Sequence, residues 1–199
     1  MKYLKSYNES IRDMMAPVSK EEVDKAVQKM DTIDILRNIQ RGRLDDSYLP
    51  PDEKILDYLK DIDTFDRIRQ IKSGLIPDKF MPTKEEIIEG MPNPNVIFKP
   101  TTNWGSGSGQ GDIEVSYNDL VKLFGEPGEG DDYKVSMEWS VEDQDGNIVN
   151  IYDWKATTLY DSDLYDPEEL KELDSFEWNI GAKNKEDAKN LIGYVYKSI

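Results

Sequence analysis

The chain has 199 residues, room for one large domain or two small ones, and carries 41 Asp+Glu against 25 Lys+Arg for a net charge of −16. It contains no Cys and no His, which excludes disulfides, Cys/His zinc sites, Cys nucleophiles, His general bases and the Ser-His-Asp triad. No apolar run approaches the roughly 18 residues needed to span a bilayer, and the acidic balance disfavours direct binding to nucleic acid or an anionic membrane.

The opening MKYLKSYNES is too polar for a signal-peptide core, so a soluble intracellular protein is expected. Leu4, Tyr7, Ile11, Met14 and Met15 share one face of an amphipathic helix over about 6–15. The stretch YNESIRDMMAPVSKEEV resembles an N-terminal leader on otherwise unrelated proteins of large tailed phages, some of them followed by ankyrin-type repeats. MKYLKSYNESI is similar, more loosely, to the head-targeting tag of internal proteins in T-even-type phages. In that family an apolar-x-Glu cleavage site follows, and here Ile11-Arg12-Asp13 stands in its place with Asp instead of Glu. These resemblances imply a phage origin and a place in the host cytoplasm or the virion.

Residues 31–42, DTIDILRNIQRG, return as DTFDRIRQIKSG at 63–74, and aligning 31–55 with 63–87 gives 10 identities in 25 positions. SKEEVDKAVQKM at 19–30 aligns with PDEKILDYLKDI at 51–62, and PTKEEIIEGM at 82–91 begins a third copy. The unit of about 32 residues reads as a helical hairpin. Its first helix carries Val23, Ala26, Val27 and Met30, matched by Ile55, Tyr58, Leu59 and Ile62, an apolar stripe at helical spacing. Its second carries Ile33, Leu36 and Ile39 against Phe65, Ile68 and Ile71, with the Thr32 or Thr64 hydroxyl as N-cap and Gly42 or Gly74 as left-handed C-cap. Such a stack serves equally as a protein-binding groove or as a compact spacer.

Residues 92–111, PNPNVIFKPTTNWGSGSGQG, read as a Pro/Gly/Ser-rich linker, with NVIFK as an optional strand. GSGSGQG has the glycines of a phosphate loop but neither its spacing nor a basic residue. Ser116 caps a short helix that buries Leu120, Leu123 and Phe124 and stops at Gly125. YKVSMEWSVE then alternates Val135, Met137, Trp139 and Val141 on one face, DQDGN turns, and IVNIYDWKA answers as the second strand of a hairpin. SFEWNIG gives a third strand through Phe176, Trp178 and Ile180, and Asn184 caps a final helix with Ala188, Leu191, Ile192 and Val195 inward. LFGEP, EW, IYDW and WNIG together resemble a small domain of uncharacterised phage proteins, a resemblance that implies no particular activity.

The expected fold class is α+β: helical-hairpin repeats over 1–91, a linker over 92–111, and an acidic α-β-β-β-α domain over 112–199. Residues 1–91 hold 16 Lys+Arg and 19 Asp+Glu, a net of −3, so the remaining 9 and 22 give residues 92–199 a net of −13. Asp161, Asp163 and Asp166 are the candidates for a hard cation, but the sixth place of an EF-hand loop, which needs Gly, is Asp166. Asp166 before Pro167 reads more simply as a helix cap, and no metal or other cofactor is expected. Glu138, Glu142, Asp153 and Glu177 lie on predicted strands, where a cross-strand pair would give acid/base or metal chemistry, and otherwise form a solvated face. Trp104, Tyr152 and Trp154, with Asp161 and Asp163, are the candidate partner contacts, because aromatic side chains dominate interface hot spots. The expected function is non-enzymatic: a phage-encoded protein binding a host or phage protein through its acidic surface, the partner being basic or itself DNA-binding. One version is a defence inhibitor that imitates the charge of DNA. The alternatives are a virion-associated, head-packaged protein and a carboxylate-metal enzyme.

Overall fold

A computed structural model describes residues 19–105 and 107–199. The expected leader helix and Ile11-Arg12-Asp13 lie outside the described residues. The chain divides into two compact units, Met1–Ile62 with Arg69–Met81, and Asp63–Ile68 with Pro82–Ile199. Among the described residues there are eight α-helices and one antiparallel six-stranded sheet, an α+β architecture.

The first unit contains α1 (Lys20–Val27), α2 (Thr32–Gln40), α3 (Asp52–Leu59) and the last part of α4 (Thr64–Lys72), with 3-10 turns at Asp46–Tyr48 and Asp78–Phe80. Ser19 and Glu22 close a reciprocal capping box on α1. The cap of α2 is Asp31, whose carboxylate accepts the Asp34 N–H at 2.9 Å, and Asp63 accepts the Phe65 and Asp66 N–H groups in the same way. This corrects the expectation that Thr32 and Thr64 cap: each threonine is the first helical residue, and the aspartate before it offers a charged acceptor to the positive helix end. Gly42 and Gly74 have φ of +65° and +72°, the left-handed conformation that ends each helix at little steric cost.

The small core here comprises Leu36, Ile55, Leu59, Ile71, Ile76 and Phe80. The two sequence copies bury different residues. α1 has no buried residue, whereas Ile55 and Leu59 are buried on α3. Phe65 and Ile68, at the start of α4, pack against the core of the second unit.

The second unit adds α5 (Lys84–Glu89), β1 (Phe98–Pro100), β2 (Ser108–Val115), α6 (Tyr117–Phe124), β3 (Gly128–Glu129), β4 (Met137–Asp143), β5 (Ile148–Tyr152), α7 (Pro167–Lys171), β6 (Phe176–Ala182) and α8 (Lys185–Ser198). The strand order is β1-β4-β5-β6-β2, with β3 pairing β4 as well. The hairpin, the third strand and both capped helices stand where the alternation and caps put them. The sheet is nevertheless twice the expected three strands. Residues 92–111 are not a linker: β1 pairs with Val141–Asp143, and β2 runs along β6 from Ser108 to Val115 with a bulge at Gly109/Gly111. One side of the sheet packs Trp139, Val141, Ile151, Trp178 and Ile180 against Leu120, Leu170, Leu191 and Val195 of the helices.

Ile55 is fully buried in the first unit. Ile55→Ala is therefore expected to cost about 2–5 kcal/mol through lost transfer energy and a residual cavity. Urea denaturation followed by far-UV circular dichroism reads this loss. Indole fluorescence does not, because all four Trp lie in the second unit.

Candidate functional site

The site grows from the alternation of β4. Met137, Trp139 and Val141 are buried, while Glu138, Ser140 and Glu142 are half-buried on the opposite side. Two short strands share one edge of β4: β3 pairs with Met137 and Glu138, and β1 with Val141–Asp143. Between them the Thr101 N–H donates to the Ser140 carbonyl at 2.9 Å. A groove of about 790 Å³ opens along this edge, and its lining includes Trp104, Lys99 and the carboxylates of Glu126, Glu129, Glu138 and Glu142.

Trp104 is 74% exposed, more than any other large apolar side chain described. Its Nε1–H donates to Glu138 Oε1 at 2.7 Å. Asn150 Nδ2–H donates to the same oxygen and to Ser140 Oγ, the latter at 3.0 Å. Gly105 and Gly107 lie tight against the sheet. A Cβ on Gly105 would meet Asn150 Oδ1 at 2.8 Å, and one on Gly107 would meet the Ala182 backbone at 2.5 Å. Glycine is needed here for close approach, not for flexibility. Half-burial pushes the Glu138 carboxyl above the usual carboxylate range, against the lowering effect of its two donors.

Across the β4/β5 ladder Glu138 faces Tyr152, and Tyr152 meets Trp154 edge-to-face at 6.2 Å. Three of the expected contacts, Trp104, Tyr152 and Trp154, thus follow one another across this sheet side. Beyond them, Lys134 lies 4.9 Å from the Tyr133 ring centroid and 5.3 Å from that of Trp154. Lys155 lies 5.8 Å from Trp154 and 4.8 Å from Tyr160. Asp153 fastens the two loops: fully buried, it accepts the Ser136 and Met137 N–H groups at 2.9 and 3.0 Å and the Ser136 hydroxyl at 2.5 Å. Asp132 and Lys155, flanking this clamp, adopt φ of +57° and +56°, a conformation that costs non-glycine residues energy and is held by the surrounding structure.

Asp161 and Asp163 stand apart in the loop before α7, where Asp161 Oδ1 accepts the Asp163 N–H at 3.2 Å. Neither lines the groove. Asp166 is the N-cap of α7, in a capping box with Glu169. Among the described residues no group of three or more carboxylates is placed to hold a metal ion. The strand carboxylates are dispersed: Glu177 pairs in register with Glu114, Glu142 with Ile148, and Asp153 is buried away from both. Sequence reasoning missed Glu126 and Glu129 as site residues. They flank Pro127 and Gly128, Glu126 in the bend before β3 and Glu129 within β3, and that placement is their only local signal.

No helix among the described residues is long and apolar enough to cross a membrane. No protein-family model matches this sequence, and a comparison with curated proteins finds no match.

A carboxyl raised by folding adds stability below its unfolded value, about 4.3 for Glu, and withdraws it as pH rises through the folded value. Glu138 is such a group. Glu138→Gln keeps an acceptor for Trp104 and Asn150 and removes the half-buried charge. The variant is expected to melt above the parent at neutral pH, and the difference to vanish as pH falls to about 4. Thermal melts across that range check it.

Proposed function

We propose that the protein is a phage-encoded, non-enzymatic interaction protein that captures a basic, extended segment of a host or phage protein in the groove beside β4. The observation that carries this reading is the groove, where four carboxylates, one lysine and the highly exposed Trp104 share a concave surface. Clefts lined by one sign of charge focus the field and draw in the opposite sign, and a tryptophan supplies the apolar anchor of an interface. The net of −13 over residues 92–199 extends that field. It supports the version in which the protein imitates the charge of DNA and occupies a nucleic-acid-binding surface. The leader resemblance in residues 7–23 supports the phage origin.

Residues 19–91 fit a supporting role as a 32-residue helical-hairpin repeat. Helices begin at Lys20, Asp52 and Lys84, and again at Thr32 and Thr64. The 3-10 turns begin at Asp46 and Asp78, and the positive-φ glycines stand at 42 and 74. The repeat in this reading holds the leader and the acidic unit on one chain and adds no chemistry.

Titration calorimetry with a capped nonapeptide rich in Lys and Arg tests the reading. Binding is expected to weaken as salt is raised. The double variant Glu129→Lys/Glu142→Lys is expected to lose affinity by about tenfold or more. A parent protein that ignores the peptide, or a charge-reversed variant that binds it equally well, would rule the groove out as the capture site.

A further inference from the structure

The groove has a chemical preference that charge alone does not supply. Glu138 Oε1 already accepts two donors, the Trp104 indole and the Asn150 amide. Among the described residues Oε2 has no hydrogen-bond partner, although the carboxylate is half-buried and lines the groove. That oxygen is reached by solvent, since Thr157 Oγ1 is the buried side-chain polar atom without a partner among the described residues, and so it is open to a donor arriving in the groove. Beside it stands an indole whose edge is fixed by its own N–H and whose surface is open. Glu129 and Glu142 line the same groove.

We infer that this arrangement selects arginine over lysine: a guanidinium stacked on Trp104 donates to Glu138 Oε2 and turns its remaining N–H groups to the other groove carboxylates. The inference rests on the groove reading above and names the partner side chain it takes. Arginine is planar, weakly hydrated and carries five donors in a rigid fork, so one residue can stack on a ring and donate to a carboxylate at once. A lysine ammonium is a compact, strongly hydrated charge. It satisfies the Coulombic part of the groove and forgoes the stacking. Fixing Trp104 in advance through Glu138 also lowers the ordering cost that a free side chain would pay on binding. The Asn150 amide, tied to Glu138 and Ser140, holds the carboxylate in place from behind.

The test uses the full chain and two capped nonapeptides, alike in every residue except that one has Arg and the other Lys at its central position. Calorimetry on the parent is expected to show the Arg peptide about tenfold tighter. Trp104→Ala and Glu138→Gln are each expected to bring the two peptides within about twofold of one another. Far-UV circular dichroism confirms that the variants fold, a mild demand for a side chain as exposed as Trp104. Equal binding of both peptides by the parent overturns the arginine inference and leaves the groove reading standing. Binding of neither overturns both. An arginine preference that persists in Trp104→Ala and Glu138→Gln places the selecting residues elsewhere and overturns the assignment to this pair.

Discussion

The contact on which the second unit depends is the edge-to-face pair of Trp139 and Trp178, 5.0 Å apart in the core. Two buried indoles bring large apolar area, and they also bring two N–H donors that cannot be left unmet in a dry interior. Trp139 donates to the Gly125 carbonyl at 2.8 Å, which fixes the end of α6. Trp178 donates to the Val115 carbonyl at 3.0 Å, which fixes the end of β2. Phe176 and Tyr117 extend the ring contacts at 4.8 and 5.6 Å. With Trp139 held inward, the pleat turns Glu138 and Ser140 to the opposite side of the sheet. The core therefore aims the groove, and a register slip of one residue would exchange the two roles.

That pleat explains what the sequence discloses and what it hides. Met137, Trp139 and Val141 announce β4 by period-two alternation, and Asn184 announces α8 by its cap, because both are local signals. Ser108–Val115 announces nothing: two glycines and a glutamine lower its strand propensity, and only the pairing with β6 some 70 residues away makes it a strand. Gly105 and Gly107 look like flexibility in sequence, whereas in the structure a side chain would collide with Asn150 or with the Ala182 backbone. Ser19 and Thr83 each stand three residues before a glutamate and close reciprocal capping boxes with it. At Asp31-Thr32 two competent cappers adjoin, and spacing alone does not choose between them. The copies at 31–42 and 63–74 share identity, but only the packing around them decides that Leu36 is buried in the first unit while Phe65 and Ile68 join the second.

The site was legible to the same extent. Exposed aromatics could be named singly, and Trp104, Tyr152 and Trp154 do fall on neighbouring positions. Their relation to Glu138 could not be named, since it needs the β4/β5 register. Glu126 and Glu129 enter the groove only because β3 docks on the same strand edge as β1. A groove assembled from residues 99–104, 126–129 and 138–142 has no contiguous motif to recognise.

The placement of cations completes the electrostatic picture. Lys122 pairs with Asp119 at 3.0 Å, Lys171 with Glu168 at 2.6 Å and Lys189 with Asp63 at 2.8 Å, all with acids outside the groove. Lys134 and Lys155 rest on aromatic rings. Among the described residues none of the four groove glutamates is ion-paired, although Lys99 shares the lining. Exposed ion pairs contribute only about 0–1 kcal/mol each, so leaving these glutamates unpaired forgoes little stability. The same carboxylates in a half-enclosed groove interact more strongly with an arriving cation than they would in open water. Lys134 and Lys155 lie on these rings and do not line the groove, where the lysine among the described lining residues is Lys99. Glu138 shows the local cost of this arrangement: half-burial raises its carboxyl against the lowering effect of the two donors it accepts.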